Sequence, residues 1–263
     1  MMPLSRLTAP EATALRGVLF DLDDTVLDDG LLTEIAYAAL FRLSRAGLTL
    51  IAVTGRPSGY GEVMARQWPI AGVITENGAV AAYREGKSLA RWQRADEATR
   101  RARRIRIAEG IADLRARFPE ARLTDDSHAR ISDLAIDIGE SQRVPADVVA
   151  QMDSAARAMG FRTFVSTVHL HLTLDPFDKA SGAVAFLFDR YGEDPTAARR
   201  EYAFVGDSGN DAACFQAFSA SFGVANVASS LKLLSVPPRY VSQAAKGAGF
   251  AEIADRILAL RTG

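Results

Sequence analysis

At 263 residues and 48% apolar content, the chain is long enough to bury a full core, as one large domain or two modest ones. A formal net charge of -1 supplies no global field for nucleic acid or an anionic membrane, so an anionic partner has to be recognised locally. Cys214 is the only cysteine, which excludes an internal disulfide framework. The opening MMPLSRLTAPEATALRG has no continuous apolar stretch, and no later run is long enough to span a membrane, as expected of a cytoplasmic protein.

In chain order, Val18 to Phe20, Leu48 to Val53, Val73 to Thr75 and Ala203 to Val205 are short apolar runs rich in branched residues. Each is followed by turn or polar residues, as parallel strands buried on both faces require. Thr33 to Arg45, with Ile35, Leu40 and Leu43 among alanines, reads as the crossover helix between the first two. This βαβ rhythm predicts an α/β fold with a Rossmann-like, doubly wound parallel sheet. From about Tyr83 the rhythm breaks. Asp96 to Phe118 reads as a long helix with Ile107, Ile111, Leu114 and Phe118 on one face, and Leu134 to Ile138 and Phe164 to Leu174 alternate as strands. After Lys179 a helix, Ala180 to Tyr191, and a strand, Tyr202 to Val205, restore the first pattern. The expected organisation is a core of residues 1–83 and 176–263 interrupted by an α+β unit, 84–175, with no internal repeat.

Three strand ends carry unusual polar groups: DLDDT after Phe20, TGRP after Val53 and GDSGND after Val205. In open α/β sheets, reactive groups gather at this carboxyl edge. Asp21 and Asp23, two apart just past a strand, can curl into one pocket, where their repulsion is costly unless a cation neutralises it. Hard oxygen donors with no His or Cys cluster favour Mg2+ over zinc, with Asp207 completing the set. A bare Asp pair also serves turns and helix caps.

The ordered set, Asp-x-Asp-x-Thr, Thr-Gly-Arg, a lone Lys before a helix and Gly-Asp-x-x-Asn-Asp, resembles the four motifs of the haloacid dehalogenase superfamily of phosphotransferases. The resemblance implies an Mg2+-dependent phosphatase hydrolysing a small phosphorylated metabolite, a sugar phosphate, through an aspartyl-phosphate. Asp21 would be the nucleophile, Asp23 the general acid and then base, Thr54 a hydrogen-bond partner of the phosphoryl group, and Lys179 its counter-charge. Asp21, the main-chain carbonyl of Asp23 and Asp207 would hold Mg2+, with Asn210 and Asp211 behind them. Thr25, Gly55, Arg56 and Asn77 join as candidate substrate contacts. Asp28 and Asp29 match no family position and read as solvated loop residues.

The insertion falls between the second motif and Lys179, as in the larger C2-type caps, and ITENGA, Ile74 to Ala79, is similar to the approach to the cap in type IIB members. These include the Cof-like, sucrose-phosphate, trehalose-phosphate and mannosyl-3-phosphoglycerate phosphatases. Asp24 stands where Gly is usual in the first motif, and Ala180 where Gly often follows the lysine. A sugar phosphomutase and a phospho-accepting signalling module are the competing readings. Within the insertion, VHLHLTL puts His169, His171 and Thr173 on a polar face that would roof the site, and Arg130 would meet a second anionic or hydroxyl-rich group. The basic series Arg91 to Arg106 reads as a solvated helix face, not a nucleic-acid surface, and Trp68 and Trp92 as buried or half-buried aromatics.

Overall fold

The computed structural model describes residues 1–261. Gly17–Phe20 runs near the middle of a nine-stranded sheet. In spatial order the strands are Met2–Pro3, Tyr240–Val241, Ala220–Gly223, Tyr202–Gly206, Gly17–Phe20, Thr49–Val53, Gly72–Thr75, Val80–Glu85 and Ser88–Gln93. The first seven are parallel and the last two turn back antiparallel. Val18 and Phe20 pack with Leu40 and Phe250 on one side of the sheet, while Leu19 packs with Ala183 and Phe204 on the other. Burial on both faces is why this run is apolar without alternation. The crossover helix spans Glu34–Arg45 and buries Ala36, Ala39, Leu40 and Leu43, whereas Ile35, expected on that face, is exposed. Strand order leaves Gly17–Phe20 in opposite directions, so the switch point of the sheet lies beside it, where ligands of such folds bind.

The sheet continues past residue 83, where the sequence pattern breaks. Val80–Glu85 and Ser88–Gln93 form a hairpin around Gly86, whose φ of 61° suits a tight turn, and this hairpin extends the main sheet to Gln93. Beyond it, helices Glu97–Arg117 and Ala146–Ala158 cover one face of a three-stranded antiparallel sheet ordered Arg162–Val165, His169–Thr173, Leu134–Asp137. Ile107, Leu114, Ile136, Met152, Leu170 and Leu172 give this unit an apolar core of its own.

Two expectations change here. Phe164 to Leu174 is a hairpin, not one strand: the chain reverses at Ser166 to Val168, where the Ser166 N–H donates to the His169 carbonyl at 2.9 Å. The basic helix face is partly a seam. Arg103 pairs with Asp175 at 3.0 Å, and Arg104 donates to the carbonyls of Arg130 and Ser127 at 2.6 and 3.2 Å. Trp68 and Trp92 are half-buried and Cys214 is fully buried. Among the described residues, no helix is long and apolar enough to cross a membrane.

Candidate active site

Three adjacent strands end together, so Asp21, Thr54 and Asp207 share one edge of the sheet. Lys179 reaches them as the first residue of helix Lys179–Tyr191, capped by the Asp178 carboxylate accepting from the Ser181 N–H at 2.8 Å. Gly78 and Gly182 let that helix approach closely, because a Cβ on Gly182 would stand 2.3 Å from the Gly78 carbonyl oxygen. Lys179 Nζ donates to Asp21 Oδ1 at 2.8 Å and to Asp211 Oδ1 at 2.7 Å, with all three side chains buried. Asp211 Oδ2 accepts the N–H groups of Asp207 and Ser208 at 3.0 and 3.1 Å, so Asp211 is committed to holding the loop and the lysine. Asp207 accepts from Thr25 Oγ1 at 3.1 Å and Asn226 Nδ2 at 3.0 Å. Asp21 Oδ2 has no hydrogen-bond partner among the described residues.

Burial raises the Asp21 carboxyl to about 7 although Lys179 opposes the shift, and burial together with Asp211 and Asp21 raises Asp207 to about 9. Asp21 and Asp211 outweigh the burial of Lys179 and hold its ammonium firmly charged. Oxygens of Asp21, Asp207 and Asp211 all lie within 4.8 Å of one another. Three buried carboxylates against one ammonium form a hard-oxygen set lacking positive charge, and this fits a divalent cation such as Mg2+.

Thr54 is buried, and its Oγ1 accepts from the Arg56 N–H at 3.1 Å, which leaves its own proton free to donate. Arg56, expected on the substrate, instead grips the Asp23 carboxylate through Nε at 2.9 Å and Nη2 at 2.6 Å, with Tyr60 stacked on its guanidinium. Thr25, likewise expected on the substrate, is spent on Asp207. Asp24 has φ of 56°, the left-handed backbone that explains why Gly is usual there, and Lys246 pairs with it at 3.1 Å and with Asp29 at 2.6 Å. Asp28 accepts the Gly247 N–H at 2.8 Å. Asp28 therefore fastens the loop to helix Lys246–Arg261, while Asp29 stays solvated as expected, its side chain 88% exposed where it meets Lys246.

The inserted unit closes over this edge with the polar face of its sheet. His169, His171 and Thr173 are buried there, facing the core and not solvent. Arg130 is fully buried and donates to the Gly55 carbonyl at 2.9 Å, to Asp133 at 3.1 Å and to Asp126 at 3.1 Å. With its guanidinium so committed, it has no face for a substrate anion, and that expectation is withdrawn. His171 Nδ1 donates to Asp133 at 2.9 Å, and His169 Nε2 to Glu140 at 2.9 Å. Burial pushes His171 down to about 4, while Arg130 and His171 overcome burial and hold Asp133 at about 2. Glu76, in the core, accepts from four backbone N–H groups: Ser58, Ile131, Ser132 and Asp133, at 2.5 to 3.0 Å. Asn77 is buried, with neither amide atom bonded.

A cavity of about 10 Å³, room for roughly one water, lies between Asp21, Asp23 and Gly55 below and His169 and His171 above. A larger one of about 1030 Å³ shares Asn210 with it and runs out along Arg143, Val144, Phe164 and Val165. Asn210 itself accepts from Ser208 Oγ at 2.7 Å. Glu76, Asp133, Asn226 and Lys246 were not singled out from sequence, since their partners are backbone groups or residues distant in the chain.

The model of the haloacid dehalogenase-like hydrolase family matches residues 18–102. Among curated proteins no sequence matches the chain. Among solved structures, the Thermoplasma acidophilum protein 0175 is similar at TM-score 0.71 and 20% identity, over 93% of this chain and 98% of that one. A phosphatase of the haloalkanoate superfamily from Bacteroides thetaiotaomicron is similar at 0.64 and 18%, over 97% and 98%. Sucrose-phosphatase from Synechocystis, solved with sucrose and phosphate, is similar at 0.61 and 17%, over 92% and 98%. At these identities the likeness is one of fold. The family match spans the first two motifs only, so the chain is similar to haloacid dehalogenase-like hydrolases over residues 18–102 and shares their fold over the rest.

Proposed function

We propose that this protein is an Mg2+-dependent phosphomonoesterase of small phosphorylated metabolites, sugar phosphates first among them. One observation carries the reading: a buried cluster at the sheet edge in which Lys179 bridges Asp21 and Asp211 beside Asp207, with Asp21 Oδ2 unpartnered. Asp21, the Asp23 carbonyl and Asp207 would hold Mg2+, which when bound supplies positive charge to the carboxylates and the phosphoryl oxygens.

In the first step Asp21 Oδ2 attacks phosphorus, the P–O bond to the leaving group breaks, and Asp23 gives its proton to the departing alkoxide. In the second, Asp23 takes a proton from water as its oxygen attacks phosphorus, and the acyl-phosphate P–O bond breaks to free Asp21 and phosphate. Lys179 offsets phosphoryl charge, and the free Thr54 proton binds an equatorial oxygen. Arg56 orients Asp23 in its charged form; to act as acid, Asp23 leaves Arg56 and carries a proton. We assign the inserted unit the role of a cap that determines specificity. Hydroxyl, amide and imidazole groups line the space over Asp21, and the cations nearest it are paired to carboxylates. That lining, and the fold shared with sucrose-phosphatase, favour a sugar as leaving group.

Phosphate release from a panel of phosphorylated sugars, glycerates and nucleotides tests the reading. Sugar esters should turn over fastest with Mg2+, and EDTA should silence them. No release from any ester would refute it, and return of labelled phosphate to the sugar would indicate a mutase.

A further inference from the structure

Beside Gly55 at the edge of the closed site, the Asn77 amide and His171 Nε2 have no hydrogen-bond partner among the described residues. The Asn77 side chain is 1% exposed, yet both its Nδ2 and Oδ1 lack a hydrogen bond. Burying an unpaired amide is unfavourable, and its left-handed backbone, φ 53°, adds strain for a residue other than glycine. His171 is the second group. Its Nδ1 lies 2.9 Å from a carboxylate that Arg130 keeps ionised, so the proton sits on Nδ1 and Nε2 carries a lone pair. Both groups converge beside the loop after the second motif: a Cβ on Gly55 would stand 3.0 Å from His171 Nε2 and 3.3 Å from Asn77 Oδ1. Gly55 and His171 line the cavity over Asp21.

We propose that His171 Nε2 and the Asn77 amide form a specificity pair that receives a hydroxyl of the leaving group next to the transferring phosphoryl. A hydroxyl gives its proton to the imidazole lone pair, which cannot itself donate. The amide completes the contact, since Asn can donate to the hydroxyl oxygen or accept from a second hydroxyl. Asp133 and Arg130 act behind the pair as positioning residues that fix the imidazole tautomer and ring orientation. The site thereby selects polyol and sugar esters over alkyl esters of equal size. This deepens the phosphomonoesterase reading and rests on it.

The test compares kcat/KM for glycerol 1-phosphate and n-propyl phosphate, which match in carbon chain and differ in hydroxyls. The wild-type protein with Mg2+ should prefer the glycerol ester by at least about tenfold, as sites built to bond a hydroxyl reject analogues lacking it. His171→Asn keeps a donor at the Nδ1 position and removes the acceptor at Nε2, so the preference should fall towards one through KM. His171→Gln, with a polar atom near the Nε2 position, should retain part of it. Asn77→Gly, which keeps the left-handed backbone, should lower the preference independently of any misfolding at His171. Wild-type ratios near one, or ratios unchanged in both His171→Asn and Asn77→Gly, would overturn the pair while leaving the phosphatase standing. Absence of phosphate release from both esters and from p-nitrophenyl phosphate would overturn the phosphatase reading and the pair with it.

Discussion

The floor and the roof of the site are both buried clusters of carboxylates around one cation, and they differ in how the cation is shared. On the floor, Asp21, Asp207 and Asp211 surround Lys179, and the Asp21 and Asp207 carboxyls are raised to about 7 and 9. In the roof, Asp126 and Asp133 pair with Arg130 and Asp133 is held at about 2, whereas Glu76, reaching up from the core to four backbone N–H groups, is raised to about 7 by burial and by Asp133. Burial is common to both; the number of carboxylates sharing one cation is what differs. A carboxylate gripped by a guanidinium stays charged and serves as a fastening, whereas the three crowded around one ammonium on the floor are left poised to take a cation or to react.

The sharpest way to break this contrast is Asp21→Asn. Turnover should fall by about four orders of magnitude or more, as for loss of other covalent nucleophiles, while circular dichroism stays native. Near-normal steady-state rates would remove Asp21 as nucleophile. In the roof the effect should appear in stability instead. Arg130→Met strands Asp133 and Asp126 without their cation, and breaking one side of a buried pair costs about 3–5 kcal/mol, measurable by urea unfolding. A loss under about 1 kcal/mol would mean the roof is not fastened by this pair. Lys179→Met should lower kcat by about 2.7–4 kcal/mol, the worth of one electrostatic donor to a transition state, and a twofold change would assign that role elsewhere.

A smaller effect separates the two regions by pH. Folding lowers His171 from 6.5 to about 4, so between these values the unfolded chain holds a proton that the folded protein refuses. The stability His171 contributes is complete above about pH 6.5 and declines as pH falls towards 4. Asp133, lowered from 3.8 to about 2, adds a second loss below pH 3.8. Because Asp21 and Asp207, being raised, favour the folded state as pH falls, the His171 contribution is read by difference: the urea midpoint of wild type minus that of His171→Gln should fall from pH 7 to 4, and an unchanged difference would contradict the account of the roof.

The floor was largely legible in the sequence and the roof was not, for physical reasons. DLDDT, TGR and GDSGND each follow an apolar run that has to be a buried strand, and a parallel sheet brings consecutive strand ends to one edge. The roof hangs on partners that leave no pattern. Its backbone N–H groups at Ile131, Ser132 and Asp133 meet Glu76 of the core, 55 to 57 residues away, and His171 meets Asp133 38 residues away. Arg130 was read as a substrate cation because sequence shows its charge but not the Asp133 and Gly55 contacts that consume it. The hairpin at Ser166 to Val168 escaped because its turn has no Gly, Pro or Asn and the alternation runs straight through it. The extension of the main sheet to Gln93 hid behind a short EGK turn, whose glycine is a weak signal on its own.

The central claim, that the floor is a charge cluster a divalent cation completes, is tested most directly by thermal unfolding of wild type and Asp207→Asn at pH 8, each with EDTA and with Mg2+. Because Asp207 is raised to about 9, its charge costs the folded state more as pH climbs from 3.8, so the metal-free Asn variant should melt higher than metal-free wild type. Mg2+ at about a hundredfold over its Kd should add roughly 2.7 kcal/mol to the wild type, a rise of several degrees for a chain of this length, and little to the variant. A wild-type melting temperature indifferent to Mg2+, with the variant less stable than wild type in EDTA, would contradict the account.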